Sequence, residues 1–252
     1  MGVVLAIANQ KGGVGKTTTA VNLGASLAVA EQRVLLIDLD SQANATSGLG
    51  RSPSELSHGT YEVLIGTAKL RDVILETELP TLFLAPATHD LAAAELELAT
   101  DEGRAERLRA QIIEVKSRYD YVVIDCPPSL GVLTINALVA ADAVIVPMQC
   151  EYYALEGLSR LADTVSRIQG GLNPGLTVAG VLLTMYDPRS NLAREVADEV
   201  RKHFHVYETV IPRNIKLAEA PSHGRPAILY DAASRGSHGY LSLARELLGE
   251  AA

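Results

Sequence analysis

Residues 9 to 19 read NQKGGVGKTTT and follow directly on the apolar run VVLAIA. Gly12, Gly13 and Gly15, with Val14 between them, let the backbone curl so that successive N–H groups converge on an anion, and a helix opening at the end of such a loop adds its partial positive charge. Lys16 can then reach the terminal phosphates of a nucleoside triphosphate. The Thr17 hydroxyl can ligate Mg²⁺, and Thr18 continues the donor run. Three glycines, a lysine and a threonine in register between an expected strand and an expected helix make a specific signature. Lys11 is the surplus: one triphosphate needs one lysine, and this loop carries two.

Phosphoryl transfer to water also requires a carboxylate that organises the metal and a group that orients the nucleophile. Asp125 closes the run YVVID and is followed by Pro127 and Pro128, which places it at the carboxyl edge of a sheet, where open α/β folds bind ligands. Its expected role is to hold the metal through water. Asp38 and Asp40 alternate in LLIDLD, so as strand residues they share one face. A carboxylate there can hold water against the terminal phosphate; for Asp38 a direct metal role and the capping of the following turn are equally open.

Short β-branched runs alternate with Ala- and Leu-rich stretches along the chain, the pattern of βαβ units around a mostly parallel sheet. Strands are expected at 3–8, 33–38, 81–87, 121–127, 143–148, 178–186 and 206–211. Most are apolar on both faces, which calls for helices on either side. Helical spacing marks 16–30, 88–99, 103–117, 131–140, 154–169, 190–203 and 236–249. GGLNPG at 170–175 is the strongest breaker cluster, but it has the length of an ordinary loop, so residues 1–252 read as a single α/β domain.

With 48% hydrophobic and 21% charged residues, the chain can bury a sizeable core. The start lacks a basic leader with a cleavage site, and no run approaches the length of a membrane span. Cys126 and Cys150 stand far apart in apolar surroundings, which fits buried thiols in a reducing compartment.

Taken together, KGGVGKTTTAVNLG, LLIDLDSQANATSGLG, YVVIDCPPSLG and IPRNIKLAEAPSHGRP resemble the ParA (Soj) family of partition ATPases over nearly the whole chain. The resemblance implies ATP and Mg²⁺ as cofactors and a homodimer when ATP is bound. It implies that Lys11 crosses to the other subunit's ATP, supplying the charge that an arginine finger supplies elsewhere. Asp40 would position the hydrolytic water, and Pro212 and Asn214 would border the adenine. Implied partners are non-specific double-stranded DNA and a ParB (Spo0J) type centromere-binding protein that stimulates slow intrinsic hydrolysis, with the protein cytoplasmic and nucleoid-associated. Larger plasmid members carry an N-terminal helix-turn-helix domain; here the first strand begins near residue 3, so the chain resembles the short chromosomal type.

The overall charge of −8 runs against a nucleic-acid partner. Residues 184–229 nonetheless hold seven Lys and Arg against six Asp and Glu, and a dimer doubles that patch. Arg189, Arg213 and Lys216, on loops beside the nucleotide-linked segment, are the expected DNA contacts. Arg201 and Lys202 have acidic neighbours. The alternative within the same superfamily is a MinD-like membrane ATPase. It needs a basic amphipathic tail, whereas SHGYLSLARELLGEAA offers an apolar stripe with Arg245 as its cation, so core docking and no stable membrane association are expected. An amide-forming synthetase could use the same ATP site, but no second substrate signature is evident.

Overall fold

The computed structural model describes residues 2–152 and 154–249. Eight strands, β1 (Val3–Ile7), β2 (Val34–Asp38), β3 (Leu75–Glu76), β4 (Leu82–Ala85), β5 (Tyr121–Asp125), β6 (Ala143–Gln149), β7 (Thr177–Tyr186) and β8 (Ile211–Pro212), form one sheet in the order β3-β4-β2-β5-β1-β6-β7-β8. Every neighbouring pair is parallel except β3 with β4 at one edge. The parallel strands therefore deliver their carboxyl ends to a single rim, and that rim carries the chemistry.

The period-2 geometry of a strand explains why these runs are apolar on both faces. Val4, Ala6, Leu35, Ile37, Val122 and Ile124 point into one buried layer, while Leu5, Ile7, Val34, Leu36 and Val123 point into the other. Leu23 and Leu27 of the helix Lys16–Val29, with Tyr240 and Leu243 of the helix Arg235–Leu248, cover the second layer. The first layer is covered by Leu108 and Ile112 of Arg107–Val115, Ala137 and Leu138 of Val132–Ala140, Leu158, Leu161 and Val165 of Ala154–Gln169, and Ala197 and Val200 of Asn191–Arg201. The expected docking of the C-terminal stripe matches this: Leu243 is fully buried and Leu247 and Leu248 pack against the same layer. No helix among the described residues is long and apolar enough to cross a membrane.

The strand expected at 206–211 is the largest departure. Val206 makes one isolated bridge to Val181, and regular pairing resumes only at Ile211. Between them the Glu246 carboxylate accepts from the Glu208 and Thr209 N–H groups at 2.8 and 3.0 Å, taking the donors a ladder would use. The helices expected at 88–99 and 103–117 shorten to Leu91–Glu97 and Arg107–Val115, each ending in a 3₁₀ turn. Five helical segments of four to six residues, Asn44–Gly48, Thr60–Ile65, Leu70–Val73, Ile215–Glu219 and Ala227–Tyr230, were not expected, being too short to establish a period.

Candidate functional site

The glycine loop runs from the end of β1 into the helix Lys16–Val29. Gly13 and Gly15 take positive φ of 75° and 89°, a conformation that L side chains rarely adopt, and Gly15 caps the helix. A Cβ on Gly12 or Gly13 would meet nothing within 4 Å, so this stretch of backbone borders open space. Three hydrogen bonds fix the loop, two of them from neighbouring strands. The Asn9 side-chain amide donates to the Pro147 carbonyl at 2.8 Å, the Lys11 N–H donates to Asn9 Oδ1 at 3.0 Å, and Thr184 Oγ1 donates to the buried Val14 carbonyl at 2.7 Å. Neighbouring strands β6 and β7 thus hold the loop in shape before any ligand arrives.

Lys16 is buried at 7% exposure and its ammonium donates to the Lys11 carbonyl at 3.1 Å. Burial lowers its pKa, opposed by the carboxylates of Asp125 and Asp40. Asp125 is fully buried, and neither of its oxygens has a hydrogen-bond partner among the described residues. Burial pushes its pKa well up and the neighbouring Asp38 adds to the rise; Thr17 lies close enough to oppose it without closing a hydrogen bond. An orphaned buried carboxylate beside a lysine and a threonine hydroxyl is a donor set that fits a hydrated divalent cation.

Asp38 behaves differently, although it is the register partner of Asp125. Its Oδ2 accepts from the Thr46 N–H at 2.8 Å and the Thr46 hydroxyl at 2.7 Å, and its Oδ1 accepts from the Asp40 N–H at 3.1 Å. Those bonds give the carboxylate the turn-organising part of its two readings, in the turn that follows β2. The same turn ends the strand at Asp38, so Asp40 does not continue β2 with Asp38 on a shared face. Asp40 instead lines the cavity, with Oδ1 accepting from the Gln42 N–H at 2.9 Å and no protein donor on its other oxygen among the described residues.

The cavity measures about 680 Å³ and is lined by Gly12, Gly13, Gly15, Lys16, Thr17 and Thr18 of the loop and by Ile211 to Ile215. Pro212 and Asn214 both belong to that second lining segment, and the Asn214 side chain caps the next helix by accepting from the Lys216 N–H at 2.8 Å. Tyr240 also lines the cavity; its hydroxyl hydrogen-bonds Thr19 at 3.1 Å, tying the last helix to the loop helix. Lys11 is not part of the lining. Its ammonium turns to the rim and pairs with the Glu151 carboxylate.

A second cleft of about 540 Å³ shares Met185, Pro212 and Arg213 with the first and is lined by Arg189 and Arg235 as well. Arg189 is bound twice by Asp187, both contacts at 2.9 Å. Lys216, outside the cleft, is shared between Glu219 at 3.0 Å and the face of Tyr230 at 5.4 Å. Arg213 and Arg235 are exposed and have no carboxylate partner among the described residues. Arg235 was not an expected contact, because it lies in the 230–252 segment, where acidic side chains outnumber basic ones, and not in 184–229. Its place at the start of the helix capped by Ser234 was the available signal.

A parallel sheet, a glycine loop entering a helix at its rim, and a lysine, threonine and free carboxylate around one cavity define a P-loop nucleoside-triphosphatase. Residues 2–178 match the model of a family described as an AAA domain. The chain is 56% identical over 249 residues to the sporulation initiation inhibitor protein Soj of Bacillus subtilis, covering 98% of each, and 52% identical over 250 residues to the chromosome partitioning protein ParA of Myxococcus xanthus, covering 98% of this chain and 88% of that one. Among solved structures it superposes with TM-score 0.86 and 39% identity on the cobyrinic acid a,c-diamide synthase of Mycobacterium smegmatis with bound ATP analogue and magnesium, covering 98% of this chain and 95% of that one. The chain belongs to the Soj/ParA family of chromosome-partitioning P-loop ATPases.

Proposed function

We propose that the protein is an ATP-dependent, dimerising partition ATPase that binds double-stranded DNA without sequence preference in its ATP state and is stimulated by a ParB-type partner. In this reading the N–H groups of residues 12–18 and the Lys16 ammonium hold the phosphates, Pro212 and Asn214 flank the base, and Asp40 accepts a hydrogen bond from the attacking water with its unoccupied oxygen. Thr17 directly, and Asp125 through water, would hold Mg²⁺, which supplies neutralisation of the charge that develops between the β- and γ-phosphates.

One observation carries the dimeric part. Lys16 alone serves the chain's own cavity, while the Lys11 ammonium stands at the rim outside it. A cation so placed is positioned to complete a site brought against that rim by a second copy. The terminal phosphate then contributes contacts across the interface that vanish on hydrolysis, which makes subunit pairing report nucleotide state. The greater identity to partition proteins than to the diamide synthase supports this reading over an amide-forming one.

DNA contact is assigned to Arg189, Arg213 and Lys216, with Arg213 the least encumbered of the three. The test is DNA retention measured with ATP, with ADP and without nucleotide across a salt series. Retention confined to ATP and falling steeply with salt is expected; equal retention in all three states would overturn the reading.

A further inference from the structure

We infer that Glu151 is a positioning residue for Lys11, stowing its ammonium within one chain and so setting the threshold at which two ATP-bound chains pair. The inference rests on the dimeric reading above. Both partners are anchored through their backbones. The Lys11 N–H is held by Asn9 and its carbonyl by Lys16, and Glu151 follows β6 in a turn closed by Glu151 N–H to the Gln149 carbonyl and Ala154 N–H to the Glu151 carbonyl, each at 2.9 Å. The side chains are the movable parts: they remain 38% and 45% exposed, so the pair can open without unpacking anything.

Two physical consequences follow from that placement. While the pair is closed, the Lys11 charge is neutralised at the rim and the ammonium is occupied by the Glu151 carboxylate. An arriving triphosphate on a second chain must displace a carboxylate of like sign to itself, so closure opposes pairing both by occupying the cation and by repulsion. The contact is exposed and therefore weak, as a reversible device has to be. One such pair is opened in each subunit, and exposed pairs of this kind together are worth about two- to thirtyfold in the dimerisation constant. Lys16 has no ion-paired competitor among the described residues: its ammonium hydrogen-bonds a backbone carbonyl, so nucleotide entry is not gated by the same contact.

The experiment compares wild type, Glu151→Gln and Glu151→Asp by sedimentation equilibrium with a non-hydrolysable ATP analogue, alongside the rate at which an amine-reactive reagent labels Lys11 in the ADP-bound chain, read by peptide mass spectrometry. Glu151→Gln is expected to pair at a protein concentration about two- to thirtyfold lower and to label Lys11 faster, with nucleotide affinity unchanged, and Glu151→Asp to lie between it and wild type. Unchanged or weaker pairing of Glu151→Gln, or Lys11 labelling at the wild-type rate, overturns the role of Glu151. Wild type that stays monomeric with the analogue overturns the dimeric reading instead, and the labelling rates still decide whether Glu151 holds Lys11.

Discussion

Asp38 and Asp125 face each other in register at the ends of β2 and β5, both fully buried, and only Asp38 has its charge met by protein donors. Burial raises the Asp38 pKa to about 6 against the hydrogen bonds from Thr46 and Asp40 that oppose it. A carboxyl whose folded pKa is raised favours the protonated fold. Its contribution is complete below about pH 4 and is lost as pH rises through about 6. The nucleotide-free protein should therefore lose stability to urea between about pH 4 and pH 7. Asp38→Asn should flatten that slope, and a slope equal to wild type would remove Asp38 from the account.

Thr184 acts on the loop from two strands away in the sheet. Its hydroxyl satisfies the Val14 carbonyl, which is buried with its residue at 1% exposure. Thr184→Val keeps the shape and strands that carbonyl, at a cost of about 1–3 kcal/mol. Thermal unfolding should report the loss, and equilibrium titration with a fluorescent ATP analogue should show weaker binding. Thr184→Ser, which keeps the hydroxyl, should recover most of both.

The arginine cleft separates cations by how free they are. Among the described residues Arg213 and Arg235 have no carboxylate partner, whereas Arg189 is gripped by Asp187 and Lys216 by Glu219. Each phosphate contact removed should lower the salt slope of DNA binding by about one per chain. Arg235→Ala should show that drop with ATP-dependent pairing intact, and Lys216→Ala a smaller one. Filter retention at several salt concentrations checks the order.

The sheet was legible because its strands are apolar on both faces, a pattern that only a doubly covered parallel sheet explains. The phosphate loop was legible because glycine spacing encodes backbone curvature directly. What escaped were features set by contacts distant in sequence. Glu246 ends the strand expected at 206–211 from 37 or 38 residues away. Thr46 claims Asp38 through a turn whose helix is too short to show a period, and that same turn carries Asp40 off the strand and into the cavity. Arg235 came to the cleft by tertiary folding, its helix start being the one local sign, and the meeting of Lys11 with Glu151 across 140 positions left no trace in either local sequence.

The central claim, that Lys11 serves the site of the opposite subunit, is tested most directly by mixing two inactive chains. Lys11→Ala retains its own Asp40 but cannot complete a partner's site; Asp40→Ala cannot hold the water but can still lend Lys11. With random pairing in an equal mixture half of the dimers are mixed and each has one complete site, so ATP hydrolysis in the presence of DNA should recover to about a quarter of the wild-type rate, scaled by the measured fraction of mixed dimers. Activity no greater than the sum of the two separate variants, with mixed dimers demonstrably formed, would contradict the claim.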